Sequence, residues 1–226
     1  DKEDMKRIIT PFYSNGNLQR IIEKKKIIPE GWDFTQKYIV LYGIAVGMAI
    51  LHKNDFLHRD LKPSSILISD QLEPIINNFD ISIHINQDNG KYKPTSFLGT
   101  PLFASPEIFK LDFDDANTEI NGKKADVYSY SMICYFLLTE IQPFNDFKNL
   151  FSLYNAITKG IRPEFPQDFD VSIRKIIELC WDEDPSERPL FDQIIRKLSN
   201  RDFIKNIQDL DYKRVRRYQK RITPKE

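Results

Sequence analysis

The sequence predicts an α+β domain, mainly helical with one short β hairpin, and three observations carry that class. Tyr38, Leu41, Tyr42, Ala45, Met48 and Ala49 recur at three- and four-residue spacing, the period of a helix with a wide apolar stripe. Two short β-type runs, Ile66-Leu67-Ile68 and Pro74-Ile75-Ile76, flank the turn residues Asp70-Gln71-Leu72-Glu73. Further helical stretches then follow at about 126–138, 150–159, 172–180 and 190–199, with Pro and Gly between them.

Residues 8–17 read as a strand end running into a turn at Asn15-Gly16. Leu18 to Lys26 reads as a short helix whose basic run, Lys24-Lys25-Lys26, is its solvated end. Pro29-Glu30-Gly31 breaks the chain, and Asp33 or Thr35 caps the next helix. Few charges interrupt that helix, so its aromatics belong to a core and not to a cofactor site. Residues 81–104 are mixed and loop-like, punctuated by Gly90, Pro94, Gly99 and Pro101, and the acidic stretch Asp112 to Glu119 reads as an inserted surface loop. Asp126 opens a strongly apolar helix. Residues 201–226 hold nine Lys/Arg against four Asp/Glu. They read as a last helix with a solvated basic face, ahead of an arm that docks on an acidic partner or an anionic membrane.

Lys plus Arg (33) balance Asp plus Glu (33), which gives no general case for nucleic acid as a partner. Cys134 and Cys180 sit in apolar helical surroundings, the setting of reduced core thiols in a cytoplasmic protein. The three histidines lack metal-ligand spacing. No apolar run approaches a membrane span, so no transmembrane segment is expected.

One stretch concentrates charge: His58-Arg59-Asp60-Leu61-Lys62-Pro63-Ser64-Ser65, between apolar runs. Charged residues on a loop held by rigid elements read as a chemical site. The stretch resembles the catalytic loop of eukaryotic protein kinases, H-R-D-L-K-P-x-N, with Ser65 in place of the Asn. Four further landmarks resemble that family in its own order. Asn78-Phe79-Asp80 stands where kinases carry Asp-Phe-Gly. Gly99-Thr100 through Pro106-Glu107 is similar to the end of an activation segment, with Ser105 in an alanine slot. Asp126-Val127-Tyr128-Ser129 resembles the start of the central helix, and Trp181 through Arg188-Pro189 is similar to W-x-x-D-P-x-x-R-P. The last detail resembles the tyrosine-kinase-like group of Ser/Thr kinases.

The resemblance implies an organisation of three parts: residues 1–17 as a remnant of an N-lobe strand plus hinge, 18–200 as the helical C-lobe, and 201–226 as a basic tail or helix. It implies a truncated N-lobe, because the 226 residues contain no G-x-G-x-x-G loop and no Val-Ala-x-Lys strand. Thr10 falls at the gatekeeper position, Pro11 and Tyr13 at the hinge that holds adenine, and Leu67 at the apolar floor. Asp60 would accept or orient the substrate hydroxyl proton, and Lys62 would offset charge on the transferring phosphoryl group. Lys62 with Thr100 implies Ser/Thr acceptors. His58 and Asp126 would brace the loop, Glu107 and Arg188 would pair, and Arg59 would await a phosphate on Thr95 or Ser96.

The departures fall on the metal. Kinases hold Mg²⁺ through the Asp-Phe-Gly aspartate and the catalytic-loop asparagine. Asn78 and Ser65 stand there instead, and Asp80 replaces the mobile glycine. One missing charge at about 4 Å is worth roughly 4 kcal/mol at an effective dielectric near 20, or about a thousandfold in rate. The sequence therefore implies a pseudokinase that acts by binding a protein partner in signalling. Its rival is an active Ser/Thr kinase that uses ATP and Mg²⁺ with remodelled ligation. A third reading is a chain without a stable fold, which leaves Phe79 and Leu67 partly uncovered.

Overall fold

The computed structural model describes residues 11–24, 28–85, 90–111 and 118–222. Thr10, Lys25, Lys26 and most of the acidic stretch from Asp112 lie outside the described residues.

Helix α1 is Leu18–Ile22, capped by the Asn17 side chain, which accepts from the Arg20 N–H. It stops short of the basic run, and Lys24 is not simply solvated: its ammonium pairs with Glu140 at 2.9 Å. Helix α2 is Phe34–Lys53. Of its two candidate caps Asp33 takes the role, accepting from the Gln36 N–H at 2.7 Å. Thr35 instead accepts from the Asp211 N–H and ties the C-terminal segment to α2.

With 20 residues and an 18-residue window of mean hydropathy 1.5, α2 is long and apolar enough to cross a membrane by length and composition alone. This corrects the expectation that no run approaches that length. The helix carries apolar residues all round because neighbours cover it on several sides, which is the mark of a core helix. Tyr38, Val40, Ile44, Ala45 and Met48 are fully buried.

The expected hairpin forms from β2 (Ile66–Ile68) and β3 (Pro74–Ile76), in the antiparallel register Ile66↔Ile76 and Ile68↔Pro74. Two more antiparallel pairs occur where the sequence reads as loop. β1 (Phe56–Leu57) pairs with β4 (Ile83–His84), and β5 (Lys91–Tyr92) with β6 (Ile120–Asn121). At two residues each, these strands are too short to show alternation.

The remaining helices are α3 (Pro106–Phe109), α4 (Gly122–Thr139), α5 (Leu150–Thr158), α6 (Val171–Cys180), α7 (Phe191–Leu198), α8 (Arg201–Asn206) and α9 (Tyr212–Ile222). Helix α4 begins at Gly122, earlier than its apolar pattern, because Asn121 caps it through the Lys124 N–H. Helices α2 and α4 form the centre of the core. The Tyr130 hydroxyl donates to the Leu41 carbonyl and that of Tyr38 to the Leu198 carbonyl. Cys134 and Cys180 are free and buried, and burial pushes the Cys134 thiol up to about 12.

Up to Ile222 the basic tail packs as helix on this core, as its reading as a last helix expects, and not as an arm. Ile204, Ile207, Val215 and Tyr218 are buried in the same cluster as α2. Gly43 of α2 makes the approach possible: a Cβ there would overlap the Tyr218 hydroxyl and come within 2.6 Å of Pro74. Arg214 bonds Asp33, the Gly31 carbonyl and Gln36, and Arg221 pairs with Glu73 in the β2–β3 turn.

Candidate functional site

The charged loop leaves β1 and is clamped from behind by the first turns of α4. Asp126, 2% exposed, accepts from the backbone N–H groups of His58 and Arg59, both at 2.9 Å, and faces His52 Nε2 at 3.0 Å. Burial raises its pKa, but the hydrogen bonds and charge of His52 and His58 outweigh burial and hold the carboxyl below its ordinary value. This clamp fixes Arg59 at φ +65°, a left-handed conformation uncommon outside glycine. The His58 ring is buried, with Nε2 at 3.0 Å from the Asn77 carbonyl oxygen and the Phe79 ring at 5.4 Å.

Asp60, Lys62 and Thr100 close into a triangle. The Thr100 hydroxyl donates to Asp60 Oδ1 at 2.7 Å, Lys62 Nζ pairs with Asp60 Oδ2 at 2.7 Å, and Lys62 also donates to Thr100 at 2.7 Å. Gly99 allows this approach: it sits at φ +109°, and a Cβ there would come within 2.8 Å of the Arg59 carbonyl oxygen. The arrangement holds a carboxylate acceptor beside an ammonium, the pair needed to orient a hydroxyl and to offset developing negative charge.

Ser65 and Asn78, where the resemblance expects metal ligands, each hydrogen-bond to Asp60. Ser65 closes a turn of 3-10 helix over Pro63–Ser65, is fully buried, and donates its hydroxyl to the Asp60 carbonyl at 3.0 Å. Asn78, at φ +67°, turns its amide nitrogen to Asp60 Oδ2 at 3.3 Å. Asp80 is exposed, and no hydrogen bond or ion pair ties it to this cluster. A hard dication is held by oxygen donors, preferably anionic. Ser65 and Asn78 bring a hydroxyl and a neutral amide, so neither supplies the anionic oxygen that a dication favours.

On the far side of the hairpin the hinge-like segment docks against β2. The Ile68 N–H donates to the Gly16 carbonyl, Asn15 Nδ2 to the Ser69 carbonyl, and Asn17 bridges Leu67. Tyr13 and Leu67 are half-buried on this surface, Pro11 is exposed, and Phe12 is 90% exposed. Phe79 is 46% exposed.

Glu107 accepts two hydrogen bonds from Arg188, at 2.7 and 2.9 Å. Arg188 is fully buried and also donates to the carbonyls of Asp182 and Lys124. Arg59 donates from Nε to the Ile81 carbonyl and lies over the Tyr92 ring at 5.5 Å, while Thr95 and Ser96 are exposed. Sequence reasoning missed His52 and Tyr92. His52 is an isolated histidine at the end of an apolar helix, and Tyr92 lies in an irregular stretch, so neither carried a motif.

Residues 2–198 match the family described as protein tyrosine and serine/threonine kinase. The chain belongs to the protein kinase family. Similar kinases from Dictyostelium discoideum include the RGS domain-containing serine/threonine-protein kinase A, 34% identical over 192 residues that cover 85% of this chain and 16% of that protein. The dual specificity protein kinase shkC is 30% identical over 197 residues, covering 85% of this chain and 37% of its own length. The dual specificity protein kinase pyk3 is 30% identical over 208 residues, covering 90% of this chain and 14% of itself. The chain thus spans well under half the length of these relatives.

Proposed function

We propose that this kinase domain is a pseudokinase: it acts in signalling by binding a protein partner, in the cytoplasm, with phosphotransfer lost or weak. One observation carries the reading. Where the family carries its metal ligands this chain has Ser65 and Asn78, neither of them anionic, with the Ser65 hydroxyl on the Asp60 carbonyl and the Asn78 amide nitrogen on the Asp60 carboxylate. Repair of the site needs two substitutions, because either position alone supplies half of the family's ligand set.

The rival is an active Ser/Thr kinase with remodelled metal ligation, a reading favoured by the closed set of Asp60, Lys62 and Thr100.

Thermal shift with ATP tests the reading. A rise in melting temperature that is the same in Mg²⁺ and in EDTA, or no rise at all, is expected. A rise that requires Mg²⁺ or Mn²⁺ overturns the proposal in favour of its rival.

A further inference from the structure

Arg59 is the residue from which a kinase resemblance implies a wait for phosphate, yet its side chain is already engaged. The guanidinium carbon lies 5.5 Å from the centre of the Tyr92 ring, and Nε donates to the Ile81 carbonyl at 2.6 Å. Tyr92 is brought there by the β5–β6 pair, in which it stands opposite Ile120, so the ring enters from the activation segment itself. The seat is shaped for it. Gly122, the first residue of α4, has no Cβ, and one would come within 2.9 Å of the Tyr92 ring. Tyr92 and Arg59 line one small cavity together with Leu98, Thr100 and Asp126. A half-buried guanidinium over an aromatic face is attracted by the ring quadrupole. Burial pushes the Tyr92 hydroxyl up to about 12, against the opposing charge of Arg59.

We propose that the Tyr92 ring occupies the Arg59 pocket as a built-in substitute for phosphate, holding the activation segment against the catalytic loop in the unphosphorylated protein. Tyr92 is then a positioning residue, acting through Arg59. The inference does not depend on whether the domain transfers phosphate.

The test is limited chymotrypsin digestion, with cuts after Phe97 and Leu98 followed by mass spectrometry on protein shown by intact mass to carry no phosphate. Such cuts report local opening of the segment. Wild type and Tyr92→Phe, which keeps the ring, are expected to be cut at rates within twofold of each other. Tyr92→Leu, which keeps bulk and loses the π face, is expected to be cut about tenfold faster with the melting temperature within a few degrees. Arg59→Lys keeps the charge without the planar face and is expected to show the same local opening, which decides the matter if Tyr92→Leu fails to fold. Equal rates in wild type and the variant that folds overturn the proposal. So does a wild-type segment that resists cleavage only once Thr95 or Ser96 is phosphorylated.

Discussion

Asp126 shows how a single buried carboxylate can hold a loop and also date its failure to a pH. Three donors converge on it, and their combined effect lowers its pKa. A depressed carboxylate contributes stability above its unfolded value near 3.9, and that contribution is lost as pH falls through the folded value. The melting temperature should therefore drop steeply below about pH 4, and Asp126→Asn should flatten that acid limb. At neutral pH the same variant should cost about 3–5 kcal/mol, the usual penalty for breaking a buried charged set. Ser105 is the opposite case. Its hydroxyl is buried without a hydrogen-bond partner among the described residues, in a slot where the family pattern has alanine. Ser105→Ala should be neutral or raise stability by about 1 kcal/mol in a denaturant titration, because it removes an unsatisfied group. On the proposed reading, Ser65→Asn with Asn78→Asp supplies the metal ligands expected of the family. The double variant should gain Mg²⁺-dependent nucleotide binding by thermal shift, whereas each single change should fall well short.

Elements that follow one pattern over several turns were legible from the sequence, and those set by partners far away were not. The α2 stripe and the β2–β3 hairpin are local patterns, and both form within a few residues of where they are read. Gly122-Lys123-Lys124 carries no apolar pattern, and the Asn121 cap brings it into α4. The basic tail was legible as a helix, but its packing against the core was not. Its charges are conspicuous in sequence, while Val215 and Tyr218, spaced to meet α2, are not. At the site, Asp60, Lys62, Ser65 and Asn78 were legible because their spacing is a motif; the partners His52 and Tyr92 come from distant positions. The close packing of α9 on α2 gives a prediction at this scale. Gly43→Ala places a methyl against Tyr218 and Pro74 and should destabilise by about 1–3 kcal/mol in chemical denaturation, despite alanine's better helix propensity.

In the whole molecule, one continuous core runs from α1 to α9 and carries the catalytic loop on its surface. Such a core predicts a single cooperative melt of the chain, against the reading that it has no stable fold. The family's architecture is kept where it serves this core: the Asp126 clamp and the buried Glu107–Arg188 pair support the fold whatever the chemistry above them. The departures gather at Ser65 and Asn78, whose side chains close the loop on itself. Transfer of labelled phosphate from ATP, with Mg²⁺ or Mn²⁺ and a generic protein substrate, by the longest natural form of the chain, tests this account most directly. Transfer is expected to be at or near background, with little difference between wild type and Asp60→Ala. Robust turnover that disappears in Asp60→Ala would contradict it.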